Sequence, residues 1–112
     1  MNRQDAVGPV FAALADPTRR HVVQLLAQAG ATTATQLAGG LPITRQAVSK
    51  HLAVLEDARL VARVRSGREV RYRLAPANLG RAMSWMVDVG GRWDERLGAL
   101  EKHVRATGRA RT

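Results

Sequence analysis

Residues 43–55 read ITRQAVSKHLAVL, and this stretch decides the fold because it has the pattern of a short helix with two different faces. Val48, Leu52 and Leu55 are spaced four and then three residues apart, which places them on one side of a helix. The opposite side carries polar residues, namely Thr44, Arg45, Gln46, Ser49 and Lys50. Because threonine is a good N-cap, we predict a helix from Thr44 to about Ala58 with one buried and one exposed face.

The residues before this helix predict further helices. TTATQLAGGLP (32–42) starts with a threonine pair and ends at a glycine pair and a proline, which is typical of a short helix and a tight connection. Two helices joined in this way have the pattern of a helix-turn-helix. Asp16 and Pro17 predict the start of an earlier helix that ends at Gly30, and residues 7–15 predict a short first helix.

After residue 59 the apolar period changes to an alternation, which predicts two β-strands. In LVARVR (60–65) the apolar positions are Leu60, Ala62 and Val64, and in EVRYRL (69–74) they are Val70, Tyr72 and Leu74. SGR (66–68) connects the two runs. We therefore predict a hairpin with one apolar face, which packs on the helices, and one face of arginines.

Pro76 predicts the start of a last helix that reaches about Val104. Its apolar positions alternate spacings of four and three residues, which is the pattern of a helix–helix seam, at Leu79, Met83, Met86, Gly90, Trp93, Leu97, Leu100 and Val104. A helix of this length measures about 40 Å, more than a small core can cover. Part of the seam is therefore expected to contact another chain.

Charge and composition indicate a nucleic-acid partner and exclude several kinds of site. The net charge is +9, and residues 41–75 hold eight basic and three acidic side chains, a distribution that favours a polyanion. The alternative is a generic solubilising surface or an arginine-rich codon usage. Without cysteine, disulfides and thiolate metal sites are excluded. No apolar run approaches ~18 residues and no signal peptide is visible, so we expect a cytoplasmic protein without a membrane partner.

The exposed residues of the 44–58 helix suit a DNA groove. Arginine can bind guanine through two hydrogen bonds and glutamine can bind adenine in the same way, while serine and threonine bind bases or phosphates. An ordinary solvated helix face is the alternative. For His51 we expect either a packing role or a phosphate contact. No catalytic triad, carboxylate pair or phosphate-binding loop is present, so we expect no enzyme.

Three stretches resemble the ArsR/SmtB-type winged-helix transcriptional repressors of bacteria: ALADPTRRHVVQLLA (13–27), TATQLAGGLPITRQAVSKHLAVLEDARLV (33–61) and VRSGREVRYRLAP (64–76). The resemblance implies a mainly α fold with about five helices and a small β-hairpin wing. It also implies a homodimer that binds an inverted-repeat operator in double-stranded DNA near its own promoter and leaves on a signal.

The resemblance also assigns residues to these roles. The recognition helix would contact DNA through Thr44, Arg45, Gln46, Ser49, Lys50 and His51, and the wing through Arg63, Arg65, Arg68, Arg71 and Arg73. The dimer would form through the first and last helices, at Phe11, Leu79, Met83, Met86, Gly90, Trp93, Leu97 and Leu100.

The metal-binding motifs of the founding members are not present in this sequence. The stretch before the recognition helix, TATQLAGG (33–40), contains no metal ligand, and in the last helix Gly90 stands where a histidine would be needed beside Asp88. We therefore expect no zinc or arsenic sensor, no cofactor and an unknown effector. The closing segment, MSWMVDVGGRWDERLGALEKHV (83–104), resembles a non-metal-sensing branch of the family. Trp85 and Trp93 are expected to form either part of the dimer core or a pocket for an apolar effector.

The whole pattern predicts a winged helix domain for DNA binding and dimerisation over residues 1–104. Residues 105–112 are predicted to form a disordered basic tail. Two other functions remain open on the sequence. The winged helix could bind an acidic protein partner through its arginines, or the chain could bind DNA architecturally without sequence preference.

Overall fold

The computed structural model describes residues 3–110 and, within them, the side chains of residues 6–104; the described residues form five helices and one antiparallel hairpin. The elements are α1 (Arg3–Leu14), α2 (Pro17–Ala29), α3 (Ala34–Gly39), α4 (Arg45–Asp57), β1 (Val61–Ser66), β2 (Glu69–Leu74) and α5 (Pro76–Ala110). They divide into two units, Met1–Ala82 and Met83–Thr112, the second of which contains the remainder of α5. The predicted mainly α fold with five helices and one hairpin is confirmed.

Side-chain caps start three of the four helices that precede the hairpin, namely α2, α3 and α4. Asp16 Oδ1 accepts a hydrogen bond from the Thr18 N–H at 3.1 Å at the start of α2. Thr33 and Gln36 form a capping box at α3, in which each side chain accepts from the other's backbone N–H at 3.1 Å. Thr44 accepts from the Ala47 N–H at 3.1 Å at the start of α4. Each cap satisfies backbone donors that have no partner within the helix, so these bounds follow from local sequence.

The core of the first unit is built around α4. Its stripe of Val48, Leu52 and Leu55 is fully buried, as predicted. Val22 and Leu26 of α2, Leu37 of α3 and Val10 of α1 belong to the same hydrophobic cluster. Because all of these side chains are apolar, their packing holds α4 in the domain while leaving its other side to solvent.

The hairpin differs from the prediction in its register. Its turn is Gly67-Arg68, with φ 63° at Gly67, and the strands pair Val61 with Leu74 and Ser66 with Glu69. A positive φ at the first of two turn residues is typical of a type II′ turn. The predicted three-residue connection, 66–68, would have shifted the pairing by one residue.

That shift exchanges the faces of one strand, so the prediction of one apolar face and one arginine face is wrong. Arg63 lies opposite Tyr72, and Val64 lies opposite Arg71. Side chains directly opposite each other share a face, and a slip of one residue moves a strand's whole set to the other face. Accordingly Val61, predicted among the arginines, is 2% exposed, whereas Val64 is 42% exposed.

Backbone hydrogen bonds join the hairpin to the helical part of the same unit. Thr32, in the connection before α3, pairs with Tyr72 through bonds of 3.0 and 2.7 Å. The Ala75 N–H donates to the Leu60 carbonyl at 2.8 Å, which closes the base of the hairpin. The hairpin is thus held next to the end of α4.

Two helices are longer than predicted. α1 begins at Arg3 instead of near Val7, and α5 continues to Ala110 instead of ending near Val104. The residues after Val104 are mostly arginine and alanine, which favour helix, and no proline stops it. The predicted basic tail, residues 105–112, therefore begins inside α5, and its side chains and residues 111–112 lie outside the described part of the chain.

The turn after α4 contains a non-glycine residue with a left-handed backbone. Arg59 has a φ of 58°, and its N–H donates to the Glu56 carbonyl at 2.9 Å. The Leu60 N–H donates to the Leu55 carbonyl at 2.9 Å, which is the long-range bond of a Schellman motif. An L-residue in this region is strained, since its Cβ crowds the following carbonyl.

We expect Arg59→Gly to raise the free energy of unfolding by about 1 kcal/mol. Glycine removes the steric cost of the left-handed backbone, and the larger conformational entropy that glycine loses on folding offsets only part of this gain. Chemical denaturation measures the change. The control is Arg59→Ala, which keeps a Cβ and should show no gain. Equal gains in both variants would mean that the arginine side chain, rather than the backbone, causes the strain.

Candidate nucleic-acid interface

Of the six recognition-helix residues predicted to contact DNA, five lie together on the exposed side of α4. We call this set the reading face: Thr44, Arg45, Gln46, Ser49 and Lys50, all of which are exposed. Within the described residues, neither Arg45 nor Lys50 forms an ion pair with a carboxylate. Thr44 uses an oxygen lone pair to cap α4, so its O–H remains able to donate. The reading face is therefore a set of donors and acceptors available to a ligand.

His51 lies on α4 but outside the reading face. It is half-buried, and its Nδ1 is 3.4 Å from Oδ2 of Asp16, the N-cap of α2. Asp16 also pairs with Arg19 at 3.3 Å. Of the two roles expected for His51, this geometry favours packing over a phosphate contact.

The hairpin arginines fall into two groups. Arg63 donates from Nε to Oε1 of Glu56 on α4 at 3.0 Å, and Arg71 pairs with Glu69 at 3.2 Å. The other three are exposed and have no carboxylate partner among residues 6–104, namely Arg65, Arg68 and Arg73. These three guanidinium groups are the wing cations most available to phosphate.

A buried amide holds the end of α4, and sequence reasoning missed it. Asn78, which is 6% exposed, donates from Nδ2 to the Ala58 carbonyl at 3.1 Å and accepts from Arg81 at 2.8 Å. Ala58 is the C-cap of α4, so the amide satisfies a carbonyl that the helix leaves without a partner. The sequence did not indicate this contact, because Asn78 and Ala58 are 20 residues apart and the burial of Asn78 is visible only in the structure.

The seam predicted on α5 is a row of exposed apolar side chains. The large members of the seam that are exposed are Met83, Met86, Trp93, Leu97, Leu100 and Val104. Outside the seam, Trp85, Val87 and Val89 of the same helix and Phe11 of α1 are exposed as well. Gly90 is half-buried, and Leu79 packs partly against the core of the first unit. Exposed apolar surface of this extent on a single helix marks an interaction face.

Two further properties concern the described residues only. No group of three or more histidine, aspartate or glutamate side chains in residues 6–104 is placed to hold a metal ion. None of the helices in the described part is long and apolar enough to span a bilayer.

Comparison with known proteins decides the family. A model described as a helix-turn-helix domain matches residues 14–64, which hold α2, α3, α4 and most of β1. The CmtR regulator of Mycobacterium bovis is 41% identical over 78% of this chain and 73% of its own length. An ArsR-like transcriptional regulator from Rhodococcus is 39% identical, with a TM-score of 0.77 over 88% of this chain and 92% of that one. The chain belongs to the ArsR family of winged helix-turn-helix transcriptional regulators.

Three further proteins similar to this ArsR-family regulator are a repressor, a homodimeric DNA-binding domain and a metal sensor. The transcriptional repressor SdpR of Bacillus subtilis is 33% identical over 79% of this chain and 97% of its own length. A homodimeric winged helix-turn-helix DNA-binding domain of M. bovis is 28% identical, with a TM-score of 0.64 over 79% of this chain and 81% of that one. The CmtR protein of M. tuberculosis, a cadmium metal-sensor, is 40% identical, with a TM-score of 0.56 over 73% and 84%.

Proposed function

We propose that this ArsR-family regulator is a homodimeric repressor that binds an inverted-repeat operator in double-stranded DNA. The observation that carries the proposal is the reading face, which is exposed and whose two cations form no ion pair with a carboxylate of residues 6–104. In helix-turn-helix proteins, the second of the two helices lies in the major groove, and the polar side chains at its start contact base edges. Repression is supported by the resemblance to SdpR, and no catalytic step is part of the proposal.

The α5 seam, together with Phe11, would supply the dimer contact. The seam is too exposed for a stable monomer surface, and a related winged helix domain is a homodimer. A twofold dimer places two copies of α4 in successive major grooves about 34 Å apart, which is why the operator would be an inverted repeat. The protein would act in the cytoplasm, where bacterial DNA lies, and repression of its own gene is an extension of the same proposal.

The wing would add phosphate contacts beside each half-site through Arg65, Arg68 and Arg73. These residues carry charge that no carboxylate in the described part neutralises. Phosphate contacts contribute affinity but little base preference, and they make binding dependent on salt. Thus α4 would choose the sequence and the wing would strengthen the complex.

We infer that the releasing signal is not a soft metal ion. CmtR of M. tuberculosis is a cadmium sensor, whereas this chain has no cysteine to provide the thiolate ligands that soft cations prefer. The proposal therefore names no cofactor and leaves the effector to be identified.

We expect Arg73→Ala to weaken binding to all duplexes alike and to lower the slope of log affinity against log salt by about 1, because one phosphate contact and its released counterion are lost. Arg71→Ala is the matched control, since Arg71 lies on the same hairpin face but is paired with Glu69. Fluorescence anisotropy between about 50 and 200 mM salt gives both slopes. An unchanged slope for Arg73→Ala would show that Arg73 does not contact a phosphate.

The experiment that tests the proposed function is a gel shift with the DNA upstream of the protein's own gene. Retention of that duplex against excess unrelated DNA at about 150 mM salt supports a specific regulator. Loss of the complex under competition would favour an architectural DNA binder. Absence of any shift at low salt would contradict DNA binding and favour the alternative of a protein-interaction module.

A further inference from the structure

The buried stripe of α4 does not by itself determine the roll of the helix about its axis. Apolar contacts such as those of Val48, Leu52 and Leu55 are non-directional. At a helix radius of about 5–6 Å, a roll of ~10° moves the outer atoms by about 1 Å. Hydrogen bonds to base edges tolerate only a few tenths of an ångström in distance, so specific reading requires a defined roll.

Two polar contacts lie on opposite flanks of the buried stripe. His51 is three residues after Val48 and four before Leu55, which places it along one edge of the stripe. Glu56 is four residues after Leu52, along the other edge. We call the contacts His51–Asp16, at 3.4 Å, and Glu56–Arg63, at 3.0 Å, the flank pairs.

Each flank pair ends on an element other than α4. Asp16 is fixed at the start of α2 because its Oδ1 accepts from the Thr18 N–H while its Oδ2 faces His51 and Arg19. Arg63 stands on β1, where it lies opposite Tyr72 in the ladder. Rotating α4 in either direction would therefore lengthen one of the two contacts.

We propose that His51 and Arg63 are positioning residues, which set the roll of α4 through their flank pairs, and that neither contacts DNA. The inference rests on the proposed function. It is supported by the burial of His51, whose side chain is 22% exposed, and by the engagement of the Arg63 guanidinium with a carboxylate on the recognition helix itself. Ion pairs that are partly exposed, as both flank pairs are, add little to folding stability, so the effect is expected in base preference.

The test uses a duplex selected by the wild-type protein from a randomised pool and a scrambled duplex of equal length. We expect His51→Ala to lower the ratio of the two affinities about tenfold, near the low end of the effect of one mismatched base pair. The salt slope should stay unchanged. Asp16→Ser should act alike, because serine keeps the α2 cap but is too short to reach His51.

The conservative and combined variants separate positioning from other roles. Asp16→Asn keeps both the cap and the reach of the side chain, so it should retain most of the ratio. Asp16→Ser with His51→Ala should lower the ratio no more than either change alone, since each of them already removes the His51–Asp16 contact. Glu56→Ala and Arg63→Ala should form a second such pair, whereas Glu56→Gln keeps an oxygen within reach of the Arg63 Nε–H and should retain most of the ratio. Thermal unfolding verifies that each variant is folded.

Several results would overturn the inference. A salt slope lowered by about 1 in His51→Ala or Arg63→Ala would identify a phosphate contact. An unchanged affinity ratio in folded His51→Ala and folded Glu56→Ala would show that the flank pairs do not affect the base preference. If the wild-type protein itself fails to prefer any duplex, the proposed function is wrong, and this inference is wrong with it.

Discussion

Leu97→Glu is expected to produce a monomer that has lost most of its affinity for an inverted-repeat duplex. Leu97 belongs to the α5 seam and is 39% exposed in the single chain, so a partner would cover it. A carboxylate buried at a helix–helix contact without a cation is strongly unfavourable. Once the dimer is lost, the second half-site no longer adds to binding, and the apparent affinity should fall by roughly 100-fold or more.

The control for this variant is Ala99→Glu. Ala99 is exposed and follows Leu97 by two residues, which places it on the opposite side of α5. It should leave both the mass in solution and the DNA affinity unchanged. Sedimentation velocity and anisotropy measure the two properties. A dimeric Leu97→Glu, or a monomeric Ala99→Glu, would contradict the assignment of the seam to the dimer.

Leu52→Ala should lower the free energy of unfolding by about 2–5 kcal/mol, the usual range for removing a buried leucine side chain. Leu52 is 0% exposed and lies in the middle of the α4 stripe, where the surrounding side chains cannot collapse without moving the helix. At roughly 4–8 °C per kcal/mol, the Tm should fall by at least about 8 °C.

Val54→Ala is the matched control, since Val54 is on the same helix but 40% exposed. We expect it to change the free energy of unfolding by less than about 1 kcal/mol, because little apolar surface is removed from the core. Equal losses in the two variants, measured by urea denaturation, would show that the buried stripe does not hold α4 in the domain.

Features that depend on residues close together in the sequence were predicted correctly. The α4 stripe was predictable because its spacing alone defines a helical face, and the α2 cap at Asp16 because capping depends on neighbouring residues. The hairpin shows the limit of this reasoning. The alternation predicted for β2 was correct, since Val70, Tyr72 and Leu74 are less exposed than the residues between them. In β1 the prediction was wrong, because the pairing depended on whether the turn has two or three residues, and that single difference reversed the faces of the strand.

The contacts that orient the candidate site were not predictable, since they join residues distant in the chain. His51 meets Asp16 on another helix, and Asn78 meets the end of α4 from the start of α5. No local period or spacing connects such pairs. The prediction also treated all five wing arginines as phosphate contacts. In the structure, Arg63 and Arg71 are each paired with a carboxylate.

The most direct test of the account is parallel selection of duplexes from one randomised pool by the wild-type protein and by Gln46→Ala. Gln46 is an exposed member of the reading face whose amide can pair with adenine through two hydrogen bonds. We predict that the variant selects the same inverted repeat but loses preference at one position in each half-site, at about 1–3 kcal/mol. Identical base preferences for both proteins at every position would contradict the claim that this face of α4 reads DNA.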